Sequence, residues 1–183
     1  MEVSDPPVLA DRPRYSTRTF PTYRFIPGRT PHPRRHPGGH SFGLSEPRPR
    51  RFNHNEWSAS EDYLYAMDLY NFAYWWESHE VFEGLWHVFG RSTQEGNFFQ
   101  ALIQLAAANL KHVLGHEAAV KNLTQRGLER LQKVPPRYMG VDTAAVADHF
   151  TLWLNARRDS YVFIPLDLTS SQRPIAIPDS RTD

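Results

Sequence analysis

The segment 74–89, YWWESHEVFEGLWHVF, decides the fold. Trp75, His79, Phe82, Trp86 and Phe89 recur at spacings of 4, 3, 4 and 3, which is the period of one helix face. At roughly 100° per residue, Glu83 falls about 40° from His79, on the edge of the same stripe. Glu77, Glu80, Gly84 and His87 fall on the other side and are expected to face water. An imidazole and a carboxylate one turn apart are neighbours on a helix surface. On an apolar stripe the carboxylate needs partners, because burying it alone is costly. The polar groups expected to supply them are His79 itself, Asn109, His112, Gln100 and Gln104.

Working outward, a helix is expected over about 60–71, capped by Ser60, with Glu61 and Asp62 at the positive end of its dipole. Asn71-Phe72-Ala73 reads as a tight turn into the helix over 74–89. After Gly90 and a polar run, a third helix is expected over 97–114. It is apolar almost all round, which places it centrally, and Gly115 stops it. Gln100, Gln104 and Lys111 are its polar stripe; Asn109 sits on the apolar side and His112 near its edge. A fourth helix over 117–133 ends at Pro135-Pro136. A fifth starts with Asp142 as cap, Val141 against Val146 forming a hydrophobic staple. The fold class read from this pattern is all-α. It is a bundle of about five helices, two antiparallel helical hairpins plus a C-terminal helix, weakly tetratricopeptide-like but without a clear 34-residue repeat.

Composition divides the chain. Residues 1–51 hold ten of the fifteen prolines, ten arginines and four acids, whereas 52–133 hold six basic residues and ten acids. Residues 1–56 therefore read as an extended arm, 57–158 as the helical domain and 159–183 as an extended tail. Tyr15, Phe20, Tyr23, Phe25, Ile26 and Phe42 set the arm apart from ordinary disordered sequence. Roughly residues 20–45 are expected to wrap the core in polyproline-like form, the basic arm docking on the acidic centre. The alternative is an arginine arm that contacts nucleic acid; the absence of a basic face on the core counts against it. With no cysteine, disulfides and thiol chemistry are excluded, which is compatible with a reducing cytoplasm, the expected location. No apolar run is long enough to span a membrane, and the first residues carry no secretory signal.

Chemistry, if there is any, centres on His79, Glu83 and Trp86. The readings are a buried network that fixes helix docking, a divalent-metal site with His79 and Glu83 as two ligands, and an acid–base pair of a hydrolase. A pocket that only binds is the fourth. The sequence requires no cofactor. A zincin helix is refused because Glu83 stands where the second histidine belongs. A di-iron bundle is refused because Trp76 precedes His79 by three residues and Asn109 precedes His112. No phosphate loop and no nucleophile elbow is present. In the arm, His32, His36 and His40 are spaced by four. Either His32 and His40 complete a site over the second helix, or the segment is a strap whose His and Arg groups meet acids such as Glu77 and Glu80; the strap is favoured. Trp75 and Trp76 cannot both face one way, so one is left for a neighbouring helix, the arm or the second subunit of a homodimer.

Two stretches together, Tyr70 to Trp86 and Phe98 to Ala108, resemble domain-of-unknown-function family 309. This bacterial and archaeal family is marked by a His-x-x-x-Glu-x-x-Trp motif followed by a Gln-Gly-Leu-Ile-Gln-like helix. The resemblance covers about residues 60–133. It implies a compact all-α fold and brings no established activity. By position the motif residues are His79, Glu83 and Trp86, with Gln100 and Gln104 on the next helix. Ala73 and Ala101 stand where glycine is expected, and Ser78 where alanine is. The function expected is a helical binding or scaffold module with a polar pocket at His79 and Glu83.

Overall fold

Ser60 opens the first helix as its composition demands: its hydroxyl accepts from the Tyr63 amide at 3.3 Å, and Glu61 and Asp62 fill the first turn. In the computed structural model, which describes residues 12–46, 48–155 and 161–168, this is α1 (Glu61–Asn71). It is followed by α2 (Trp75–Phe89), α3 (Gln94–Val113), α4 (Glu117–Leu131) and α5 (Thr143–Asn155). A short 3-10 helix (His54–Ala59) precedes α1. A two-stranded antiparallel ribbon, β1 (Arg137–Tyr138) and β2 (Val141–Asp142), precedes α5. Consecutive helices are packing neighbours from α1 to α5, and the short connections run α1 to α4 alternately up and down. The fold is an all-α bundle.

Two boundaries differ from expectation for local reasons. The α3 helix starts three residues early because the Thr93 hydroxyl accepts from the Gly96 amide at 2.9 Å, a cap placed inside the polar run. The ribbon was not expected: Met139 and Gly140 both take positive φ, 45° and 74°, and so close a two-residue turn. Asp142 caps α5 through the Ala145 amide at 2.9 Å, with Val141 and Val146 both buried. The turn between α1 and α2 places Ala73 at φ 64°. This is the left-handed region, which accounts for glycine being the residue expected there.

The apolar stripe of α2 keeps Trp75, Phe82 and Phe89 but runs through Ser78 and Leu85 in place of His79 and Trp86. Trp75, Ser78, Phe82, Leu85 and Phe89 are the residues buried along one side, spaced 3, 4, 3 and 4. His79, Glu83 and Trp86 lie on its rim, half-exposed. Ser78, enclosed by α1, donates to the Ala66 carbonyl at 3.2 Å. Glu77, expected in water, is 5% exposed, because the arm covers it.

The arm reaches the core through α1 and α2. Asp68 of α1 is fully buried and accepts from the Tyr15 and Ser16 amides, both at 2.8 Å, and from Arg14 Nε at 3.0 Å. Glu77 of α2 accepts from the Phe25 amide at 2.8 Å and from His40 Nε2 at 3.0 Å. Arg34 meets Glu80 at 3.2 Å, and Arg18 meets Asp62 at 2.8 Å. Arg12, Arg14, Arg18 and Arg24 stack on Phe163, Phe20, Tyr65 and Tyr74. These arginines are thus engaged within the chain. From the other end, residues 161–168 lie extended on the bundle. The Asn71 side chain grips both sides of Ile164, donating to its carbonyl at 2.9 Å and accepting from its amide at 3.0 Å. Asn71 and Ile164 are buried.

A buried carboxylate that loses its role strands an arginine and two amides, so Asp68→Ala is expected to cost about 3 kcal/mol. Asn71→Ala, which leaves two neutral backbone groups unpaired, is expected to cost about 2 kcal/mol. Urea unfolding of the full chain measures both, and losses below about 1 kcal/mol would mean that the arms are not fastened at these two residues.

Candidate functional site

The residues that the sequence singled out separate into two sets. His79, Glu83 and Trp86 lie at i, i+4 and i+7 on α2, and Gln100 and Gln104 at i and i+4 on α3. These spacings each present one helix edge. The two edges face each other across a groove of about 240 Å³, completed by Ile103, Ala107 and Leu123 of α4. The groove therefore has an apolar floor from α3 and α4 and a polar rim from α2 and α3.

The other five residues do not line it. Asn109 is fully buried and donates to the Tyr70 hydroxyl at 3.1 Å, an interior α1–α3 contact that leaves it no reach toward Glu83. His112 packs edge-on against Trp153 and near Tyr161, with ring centroids 5.3 and 6.1 Å away. Trp75 is buried under Tyr161 at 4.5 Å. His32 packs on Phe25 and Trp76, and His40 on Tyr23 and Glu77. His32 and His40 therefore lie over the flank of α2 and do not reach the groove. Trp76 faces that strap, so the tryptophan pair is covered within one chain and no second subunit is needed to cover it.

Within the groove, the hydrogen-bond network that one of the readings placed there is not formed among the described residues. Glu83 makes no hydrogen bond or ion pair among the described residues, and half-exposure lets water solvate it instead. His79 Nδ1 and Gln104 Oε1 are shielded from solvent without a hydrogen-bond partner among the described residues. The nearest acid to His79 is Glu80, its Oε1 lying 3.8 Å from Nδ1. Burial pushes the Glu80 carboxyl up, but His79 and Arg34 more than offset this and hold it below the ordinary carboxylate value. Donor atoms of His79, Glu80 and Glu83 all lie within 4.8 Å of one another. Sequence reasoning left Glu80 out of the site, because Glu80 lies on the side of α2 away from the apolar stripe and was assigned to water or to the strap. On the outer side of Glu83, Glu46, Arg48, Glu80 and His87 line a second concavity of about 360 Å³. Glu83 thus stands on a ridge between two hollows. Arg91 lies over the Trp86 ring, 4.9 Å from its centroid.

A cleft of about 370 Å³ between Trp57 and the β1–β2 ribbon is larger. Its charged groups satisfy one another, since Arg137 faces Asp167 at 3.4 Å and Asp142 at 3.8 Å. For that reason the chemistry is sought at the α2–α3 groove.

Residues 63–123 match the family described as Domain of unknown function (DUF309). The matched segment covers 61 of the 183 residues. It contains α2 and α3 whole, and with them every residue of the α2–α3 groove. No curated protein matches the chain. No helix among the described residues is long and apolar enough to cross a membrane.

Half-exposed side chains without intramolecular hydrogen bonds contribute little to stability. His79→Ala and Glu83→Gln are each expected to change the unfolding free energy by less than about 1 kcal/mol, measured by urea unfolding. A loss of about 3 kcal/mol from either would identify the pair as a buried structural network instead.

Proposed function

We propose that this protein is a helical binding module whose α2–α3 groove takes a small ligand bearing a cationic, donor-rich group. One observation carries the reading. A carboxylate without a partner among the described residues, Glu83, and two carboxamides, Gln100 and Gln104, converge on one hollow with an apolar floor and a tryptophan wall. Glu83 is the one carboxylate of that lining, which holds no lysine or arginine, so the hollow favours positive charge. The shielded acceptor on Gln104 favours a hydrogen-bond donor. Trp86 offers an aromatic face to a cation, and Arg91 already lies over that ring. Small-molecule sites combine these elements: an apolar body and a few convergent polar groups.

The test uses n-butylguanidinium and n-butylammonium as probes, with n-butanol as the neutral control. They are titrated into the full chain and followed by NMR at the Trp86 indole and the Gln100 and Gln104 side-chain amides. Saturable shifts with the two cations and none with the alcohol are expected. Glu83→Gln should weaken binding about tenfold, or about 1.4 kcal/mol. Shifts that are absent, or that survive Glu83→Gln unchanged, would overturn the reading.

A further inference from the structure

The rim of the groove carries a more specific chemistry than a single carboxylate. His79, Glu80 and Glu83 occupy one turn of α2, and all three are half-buried. Each can bring a donor atom to a common point, because the three donors lie within 4.8 Å of one another. Around a zinc-like ion at about 2.1 Å, tetrahedral donors lie roughly 3.4 Å apart. The cluster therefore has to contract by about 1.4 Å at its widest, a side-chain adjustment that half-exposed groups can make without moving the helix.

Three further observations point the same way. His79 Nδ1 is shielded from water and has no hydrogen bond among the described residues, its nearest carboxylate oxygen, Glu80 Oε1, lying 3.8 Å away. Glu80 is tethered by only one oxygen: Arg34 Nε holds Oε2 at 3.2 Å, while Oε1 faces His79 at 3.8 Å. Arg34 is itself fixed by donating to the Leu44 carbonyl at 3.1 Å, so the arm orients Glu80. Lastly, the carboxamide oxygen of Gln104, also shielded and without a partner, lines the groove alongside His79 and Glu83.

We propose that His79, Glu80 and Glu83 form a binding site for a divalent first-row transition cation, open on its groove side. This rests on reading the groove as a cation site and names the cation. One imidazole nitrogen and two carboxylate oxygens suit zinc, manganese or iron(II), whereas thiolate-seeking copper(I) has no ligand here. Two carboxylates balance the charge of the ion. Three protein ligands leave coordination positions for water or for a ligand lying in the hollow. Arg34 serves as a positioning residue for Glu80 and does not itself touch the ion.

The test uses the full chain made without a histidine tag and stripped with a chelator. Zinc chloride alone is titrated by calorimetry, and cobalt(II) chloride is followed by its visible absorption, which reports ligand number and type. One ion per chain is expected, with a cobalt spectrum of low coordination number. His79→Ala should abolish the spectrum, and Glu80→Gln and Glu83→Gln should each weaken zinc binding more than about tenfold. His149→Ala, an exposed histidine on α5, should leave binding unchanged. The proposal is overturned if no ion binds, or if binding survives these three substitutions. If zinc fails while n-butylguanidinium still binds, the metal assignment falls and the groove reading stands; if both fail, both fall.

Discussion

Two polar side chains one turn apart on α1 hold the molecule together. Asp68 and Asn71 are enclosed between α1 and the extended segments that lie on it, where neither could remain without hydrogen bonds. Neither finds them in the helices. Asp68 is satisfied by the backbone and arginine of the N-terminal arm, and Asn71 by the backbone of residue 164. Arms and core are therefore mutually dependent. The helices bury polar groups that the arms satisfy, and the arms, rich in proline, find buried carboxylate and carboxamide partners, Asp68, Asn71 and Glu77, on α1 and α2. Asn71 treats Ile164 as a neighbouring strand would, with one donor and one acceptor on the same residue.

The same economy shapes the groove. The arm covers the flank of α2 that bears Glu77 and ties Glu80 through Arg34, and it stops short of Glu83. Going round α2, its side chains pass from buried beneath the bundle, through the half-open rim of His79, Glu83 and Trp86, to the strapped flank of Trp76, Glu77 and Glu80. The rim is the sector that neither the core nor the arm covers, and there the α2 edge faces Gln100 and Gln104. In this way the arm sets the outline of the site without lining the α2–α3 groove.

Much of this was legible in the sequence. Helix positions followed from apolar periodicity and from caps such as Ser60 and Asp142. The prolines kept helix and strand out of residues 20–45, but much of that stretch folds into hydrogen-bonded turns, such as the Ser41 amide donating to the Pro33 carbonyl at 3.1 Å, in place of the polyproline-like form expected. Two things were not. The stripe of α2 was read through His79 and Trp86 because tryptophan and histidine fit the 4-3-4-3 pattern as well as Ser78 and Leu85 fit the 3-4-3-4 pattern. A serine inside a core face carries no apolar signal, and only its bond to the Ala66 carbonyl explains its burial. The fastening points were also missed, although a trace was present: Leu64, Met67, Asp68 and Asn71 share one stripe of α1, so that an acid and an amide interrupt an apolar face. Their partners lie 52 to 93 residues away in sequence, beyond anything that local spacing reports. The β1–β2 ribbon escaped because Met139 sits at a position where Asn or Asp would have announced the turn.

The two extended segments also touch each other: the Tyr15 hydroxyl accepts from the Leu166 amide at 3.0 Å across 151 residues of chain. Loop closure over that span is the most entropically expensive contact described, and it can form only after the helices have assembled the surface on which both segments lie. Folding accordingly has a built-in order. Local helical pairing comes first and the C-terminal strap closes last, so the Asn71 side chain stays hydrated on a nascent chain until residue 164 has left the ribosome, whereas the partners of Asp68 precede α1 in the chain.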